Sequence, residues 1–401
     1  MKFQGSKAFK VQRLFDIHAL PLFPSRLQLD SVLKNLEARP SHIFLMDNKN
    51  ISFASFGLVV LDQIRFPNRK HLTNVLGGSG AYATLGARLF LPSPQSRSLA
   101  WPIHVGNDFP DHIADLLHSW DTDLVITKES DQPSTRGLLE YQDTTFGPKN
   151  FKYTTPILAI QENELLGTTL LTSKVYHYLA SPQDMRTRLL NMLFLREKFG
   201  IQHRPLIIWE PAPLSCKPEN LQDFLAVAAL VDVFSPNHLE LAALFEDTPA
   251  TSDRSEIERL AMKFITNGVG PEGKGTVIVR VGEHGCFVRS SNLVSKWLPP
   301  FHMAGPGEEQ ATKVVDPTGA GNAFLGGYSI GYLQTGSDII QAANYGSVAA
   351  SFALEQVGMP EKRCEGGEEL WNGASVLGRL HEYRARQESA GTQGDLASIS
   401  K

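Results

Sequence analysis

The chain has 401 residues, a net charge of −4, 42% hydrophobic and 20% charged residues. Those values fit a globular protein of one large α/β domain or two ordinary ones, and they give no electrostatic case for nucleic acid or an anionic membrane. No apolar run reaches the roughly 20 residues of a membrane span, and Cys216, Cys286 and Cys364 form neither a CxxC pair nor an even-numbered framework, which favours a reducing compartment and argues against structural zinc.

Residues 1–50 read as a separate extension, basic with scattered apolar positions. Mitochondrial targeting by residues 1–40 would need an amphipathic helix, which Asp16, Pro21 and Pro24 weaken. The expectation is a family-specific or partly disordered extension of a cytoplasmic protein. From 51 the pattern changes. "ISFASFGLVVLDQIRF" (51–66) contains a strand or strand pair, and "SLAWPIHVG" (98–106) is the next clear strand, followed by a helix in "FPDHIADLLHSW". "STRGLLEYQDTTFGPKNFKYTTPI" (134–157) is rich in Thr, aromatics and turn residues without helical period. It predicts β-hairpins outside the main sheet, forming a small flap with 58–68. "KVYHYLA" (174–180), "PLIIWEP" (205–211), "VDVFSP" (231–236) and "TVIVRVG" (276–282) are near-continuous apolar strands, as in a sheet buried on both faces. Helical spacing in "DMRTRLLNMLFLREKFG", "ENLQDFLAVAAL", "HLELAALFED" and "RSEIERLAMKFITNG" alternates with them. Alternation of this kind predicts a mainly parallel sheet with helices on both faces. Residues 363–401 read as a C-terminal helix and a disordered tail, polar from 384.

Several short stretches carry candidate chemistry. "GVGPEGKGT" (268–276) imitates a phosphate-binding P-loop, but Gly275 stands where Ser or Thr is needed and the loop precedes a strand. "VVDPTGAGNAFLGGY" (314–328) has the right order: strand end, glycine turn, small-residue helix. Amides at Gly319, Ala320 and Gly321 can converge on one point, which the positive end of the helix dipole also faces. Such a turn suits a phosphate or a developing oxyanion, and it also occurs as plain architecture. In "FSPNHLELAALF" (234–245), Asn237 and Glu240 could serve a phosphate and a hydrated Mg²⁺. The pair reads equally well as a helix cap. "VLGGSGAYATLGARLF" (75–90), "VRVGEHGCFV" (279–288) and "HVGNDFPDHI" (104–113) are weak alone.

Taken in order, these motifs resemble the ribokinase, or PfkB, family of carbohydrate kinases. They are Gly57 to Asp62, Gly77-Gly78-Ser79-Gly80, Val105 to Asp108, Asn237-x-x-Glu240, Val281 to Gly285, and Asp316 to Gly321, and they span about 50–360. The "DPTGAGN" form is similar to a fungal branch of that family containing the maintenance-of-killer protein. The resemblance implies a three-layer αβα fold with a mainly parallel central sheet and a small β-flap lid. The kinase domain would cover 51–362, with the lid from about 58–68 and 134–157. It also implies roles. Asp62 would bind sugar hydroxyls, with Gly77 and Gly78 against the substrate. Asn237 and Glu240 would serve ATP phosphates and Mg²⁺, the metal through water. Val281, Gly282, Gly285 and Ser347 would line the nucleotide pocket, and Gly319, Ala320 and Gly321 would form the anion hole. Asp316 and Thr318 fall where some members bind a monovalent cation.

Two positions depart from the family pattern. Tyr82 stands where the first glycine-rich turn usually carries Asn, so a ribose-like substrate would fit differently. Asn322 stands where the family's catalytic Asp accepts the proton of the attacking hydroxyl. A neutral amide has no usable basicity, and loss of a positioned base costs roughly 10²–10⁴ in rate. Much of phosphoryl transfer is positioning and charge stabilisation. The reading is a kinase homologue that binds nucleotide and a small polyol with impaired transfer; the alternative is an active sugar or nucleoside kinase using another base, such as Asp62. A homodimer through the lid and an unidentified protein partner complete the expected partners.

Overall fold

The computed structural model describes residues 50–399 apart from 68, 143–148, 167, 247–251 and 306–310. The N-terminal extension and the tip of the 134–157 hairpin therefore lie outside the described residues. The apolar run at 51–66 divides between two sheets, as β1 (Phe53–Ser55) and β2 (Val60–Arg65). Then follow β3 (Leu72–Gly77), helix α1 (Ser79–Arg88), β4 (Leu99–Val105), α2 (Asp111–His118), β5 (Asp123–Lys128), β6 (Arg136–Tyr141) and β7 (Lys149–Tyr153). The middle of the chain contributes β8 (Val175–Ala180), α3 (Pro182–Lys198), β9 (Leu206–Pro211), α4 (Leu221–Ala228), β10 (Val233–Phe234) and α5 (His238–Ala243). After these come α6 (Arg254–Asn267), β11 (Thr276–Arg280), β12 (Cys286–Ser290), β13 (Leu293–Leu298), α7 (Ala320–Gln334) and α8 (Ile339–Leu354).

Nine strands form the central sheet in the order β13-β12-β11-β10-β9-β8-β1-β4-β5. From β11 to β5 every pairing is parallel; β12 and β13 add an antiparallel edge. Strands β8, β9 and β11 are buried on both faces, which is why they read as continuous apolar runs. Alternate residues serve the two helical layers. Ile208 joins the core under α1, α7 and α8, with Ala81, Leu325 and Val348. Trp209 points the other way, stacks on Phe224 of α4 at 5.1 Å and lies tilted against Phe234 at 5.0 Å, while Phe264 of α6 lies 4.6 Å from Phe234. The architecture is three layers, αβα. Small residues along α7 let it pack against α1 and α8.

A second, four-stranded sheet has the order β3-β2-β6-β7. It unites the two segments expected to form a flap, and β3 joins them at its edge. The β2–β6 pairing is parallel and the other two are antiparallel.

The C-terminal region differs from its sequence reading. Residues 362–375 form a three-stranded antiparallel sheet, β14 (Lys362–Glu365), β15 (Glu368–Trp371) and β16 (Ala374–Ser375). Helix α9 (Val376–Ile399) continues through the polar segment from 384 that composition reads as a disordered tail. Its side chains have partners far back in the chain. Arg386 Nη1 donates to the Phe301 carbonyl at 3.0 Å, and Gln387 Nε2 donates to Asn344 Oδ1 at 3.0 Å. The small sheet is anchored by buried Trp371 and by Glu369, which pairs with buried Arg88 at 2.7 Å.

Candidate active site

Strands of a parallel sheet present their carboxyl ends to ligands, and here the glycine turn before α7 lies among those ends. Asp316 is buried and braces the turn: its Oδ1 accepts the Thr318 N–H at 2.9 Å. The N–H groups of Val315 and Asp316 both donate to the Leu354 carbonyl, at 2.7 and 3.1 Å. Gly319 takes φ 77° and caps the 15-residue helix α7. Gly319, Ala320 and Gly321 thus stand at a helix mouth, where first-turn amides have no intrahelical partner and the dipole favours an anion.

Asn322 is not left facing solvent. Its Nδ2 donates to Oε2 of Glu210, at the end of β9. Glu210 is 5% exposed and is the hub of a buried cluster. Arg280 Nη1, at the end of β11, pairs with Glu210 Oε1 at 2.7 Å. His177 Nε2, on β8, lies 3.3 Å from Glu210 Oε2. His177 Nδ1 lies 3.1 Å from Ser55 Oγ, which accepts the Gly57 N–H at 3.1 Å. An ionised carboxylate only accepts, so Nε2 donates to Glu210, while Nδ1 shares a hydrogen bond with the Ser55 hydroxyl. Burial pushes the Glu210 carboxyl up, but Arg280 and His177 outweigh burial and hold it below its ordinary value.

Arg280 also touches the turn. A Cβ added at Gly321 would fall 1.9 Å from Arg280 Nη1, so a larger residue there would push the guanidinium from its place. Its Nη2 donates to the Ser235 carbonyl at 2.9 Å and lies 3.6 Å from Glu240 Oε2. Burial drives the Glu240 carboxyl up to about 7; Arg280 opposes this and Glu210 adds to it. Asn237 and Glu240 form a reciprocal cap on α5: Glu240 N–H donates to Asn237 Oδ1 and Asn237 N–H to Glu240 Oε2, each at 2.8 Å. The cap uses one polar atom of each side chain, so Nδ2 of Asn237 and Oε1 of Glu240 are outside it.

The other predicted residues are distributed as follows. Val281 is buried, and Gly282 and Gly285 make the tight turn between β11 and β12, closed by Val281 N–H donating to the Gly285 carbonyl at 2.7 Å. Ser347 is buried in α8, within hydrogen-bonding reach of Cys286 and Tyr383. Asp62 lies on β2 of the small sheet and is 5% exposed. Its carboxylate occupies space left by two glycines: a Cβ on Gly77 would meet Oδ2 at 2.0 Å, and one on Gly137 would meet Oδ1 at 2.2 Å. Gly78 caps α1. Tyr82 is buried in α1, with its ring against Gly319 and its hydroxyl donating to the Gly358 carbonyl at 3.4 Å.

The small sheet reaches the turn. Tyr141 of β6 places its hydroxyl 3.3 Å from Thr318 Oγ1. The phenols of Tyr82 and Tyr141 are pushed up first by burial and then by the charges of Asp316 and Asp62, while a bond to Thr318 opposes the rise at Tyr141. Asp62 and the turn therefore act on the same two tyrosines.

Sequence reasoning did not single out Glu210, Arg280 or His177. A signal was present: Glu210 and Arg280 are lone charges ending apolar strands, "LIIWEP" and "TVIVR", and a charge in such a run needs a partner. Among the described residues no group of three or more His, Cys, Asp or Glu could hold a metal.

Residues 50–362 match the model of the pfkB family carbohydrate kinases. The chain belongs to that family. Two fungal relatives run alongside most of it. An uncharacterized protein of Schizosaccharomyces pombe is 33% identical over 84% of this chain and 93% of its own length. The protein MAK32 of Saccharomyces cerevisiae is 30% identical over 86% of this chain and 94% of its own. Among solved structures, ribokinase from Giardia lamblia superimposes with a TM-score of 0.61 at 16% identity, over 84% of this chain and 99% of that one. An Escherichia coli protein assigned as a ribokinase II, in complex with ATP and Mg²⁺, gives 0.55 at 18% identity, again over 84% and 99%. At those identities the likeness shows the fold: the central sheet, its helical layers and the small sheet are ribokinase-like.

Proposed function

We propose that this pfkB-family protein binds a nucleotide with Mg²⁺ and a small sugar-like alcohol, and transfers the phosphoryl group poorly or not at all. The observation that carries this is Asn322: an amide stands beside the anion turn, and it is committed to Glu210. The amides of Gly319, Ala320 and Gly321 would hold the phosphoryl oxygens. Glu240 would hold the water shell of Mg²⁺. A hard cation needs only one or two carboxylates besides phosphate oxygens and water, and a buried carboxyl raised to about 7 gains by having a cation nearby. Asn237 would meet a phosphate through Nδ2, with Val281, Gly282, Gly285 and Ser347 on the nucleotide side. Asp316 and Thr318 would serve a monovalent cation. Asp62 would accept hydroxyls of the alcohol, with Gly77, Gly78 and Tyr82 shaping that end and the small sheet acting as a lid.

Phe151 and Tyr153 on the small sheet are exposed, and a homodimer or an unidentified protein partner would use that face. No helix among the described residues is long and apolar enough to cross a membrane. The cysteine pattern, with no CxxC pair, supports a reducing compartment such as the cytoplasm.

The test pairs binding with turnover. Mg·ATP should raise the melting temperature of the purified protein, because a ligand at 100 times its Kd stabilises by about 2.7 kcal/mol. Turnover with a panel of sugars and nucleosides should stay at background. A rate above roughly 1 s⁻¹ would instead mark an active kinase using another base, with Asp62 the first to replace.

A further inference from the structure

Glu210 is the carboxylate nearest in bonding to position 322, which invites the idea that it took over as base. Its environment argues otherwise. Oε2 receives Asn322 and His177, Oε1 receives Arg280, and the side chain is almost fully buried. A carboxylate held by three donors is a weak proton acceptor and has no free path to a substrate hydroxyl.

The same contacts show what Glu210 does to residue 322. The two side chains are in direct hydrogen-bond contact. An amide there donates. A carboxylate there would put two like charges in contact at a part-buried site, which disfavours ionising both. The charge count makes the point sharper. Glu210 and Arg280 pair one carboxylate with one guanidinium, and Asn322 adds no charge. Glu240 lies farther off, 3.6 Å from Arg280 Nη2. Asp at 322 alone sets a second carboxylate against Glu210, with one guanidinium between them. Gln at 210 alone removes the carboxylate beside Arg280. Both changes together move the carboxylate from one partner to the other and conserve the count, with Arg280 still next to it because its guanidinium rests on Gly321.

We propose that Glu210 is a positioning residue that dictates an amide at 322, so that the turn can carry a carboxylate only when both positions change together. The inference builds on the reading of this turn as a kinase turn without its base. Its own test is a stability cycle, which does not depend on that reading.

Thermal unfolding is measured for the wild type, Asn322→Asp, Glu210→Gln and the double variant. Each single change should lower Tm by about 5 °C or more, the scale of an uncompensated buried charge in a chain this long. The double variant should recover at least half of the summed loss. If the two losses simply add, the pairing is wrong. Should Glu210→Gln fail to fold, Asn322→Ser against Asn322→Asp still decides, since a small neutral residue should be tolerated better than a charged one. Equal stability of those two would also overturn the pairing. Turnover with Mg·ATP and the sugar and nucleoside panel supplies a readout that structure alone would not move. The double variant should exceed both the wild type and Asn322→Asp at least tenfold. Asn322→Asp alone matching the double would sink the pairing. A stable double variant without turnover would leave the pairing intact and count against the kinase reading instead.

Discussion

Two carboxylates mark the two ends of this site, and they are kept in opposite ways. Asp62 sits in space: glycines at 77 and 137 on its neighbouring strands leave room for its oxygens, and any side chain there would strike them. Glu210 sits in charge: a guanidinium, an imidazole N–H and an amide occupy its oxygens. The first arrangement holds a carboxylate by the room around it. The second spends a carboxylate on holding other residues. The two carboxylates are thus held by different strands and different forces, so one can change without the other.

The largest effect should come from breaking the charge-built end. Arg280→Met leaves Glu210 buried without its cation, a change that costs roughly 3–5 kcal/mol in urea unfolding. It should also abolish the Mg·ATP shift, since Arg280 rests on the anion turn. A loss under about 1 kcal/mol, the level of a surface pair, would mean that the cluster is not electrostatically tight. Breaking the space-built end should cost less. Gly77→Ala places a Cβ 2.0 Å from Asp62 Oδ2, and the carboxylate, at the end of a short side chain, must swing aside. About 1–3 kcal/mol is the scale of such overpacking. Here the Mg·ATP shift should survive. If both variants lose it equally, the two ends are not separable and the contrast fails.

Much of the fold was legible because burial on both faces writes itself as continuous apolar runs; β8, β9 and β11 are examples. The hairpins of the small sheet were legible from Thr, aromatics and turn residues, but β3 was not, since "PNRKHLTNVLGG" is polar at its start. The C-terminal sheet was illegible for a related reason. "KRCEGGEELWNGAS" has little apolar content of its own, and what anchors it, Arg88 and the pocket for Trp371, lies far upstream. The glycine turn and the capped Asn237–Glu240 pair were local patterns and could be read directly. The hub at Glu210 could not, because its donors come from positions 177, 280 and 322 and only the sheet order brings them together. Tyr82 shows the same limit. The motif set it in a glycine-rich turn, whereas the structure puts it inside α1, with its ring against Gly319 and its hydroxyl on the Gly358 carbonyl.

The smallest effect concerns the join between the two sheets, and it has a pH signature. Asp108, just after β4, accepts the Ser134 N–H at 2.7 Å and pairs with Arg136 Nη2 at 2.7 Å; Arg136 Nη1 in turn donates to Asn74 Oδ1 at 2.8 Å. Slight burial pushes the Asp108 carboxyl up, but the Ser134 and Arg136 bonds outweigh it and hold the group at about 2, against an ordinary 3.8. The folded value lies below the unfolded one, so between them the unfolded chain binds more protons. The pair's contribution is therefore present above about pH 4 and is lost as pH falls toward 2. Both side chains are about a third exposed, which limits that contribution to roughly 0.2–1 kcal/mol. Asp108→Asn should lose about that much at pH 6, and its gap from the wild type should narrow between pH 5 and pH 3 in urea unfolding. A gap that stays constant over that range would mean that Asp108 holds the join by shape and hydrogen bonding alone, and charge would then matter only at the Glu210 end.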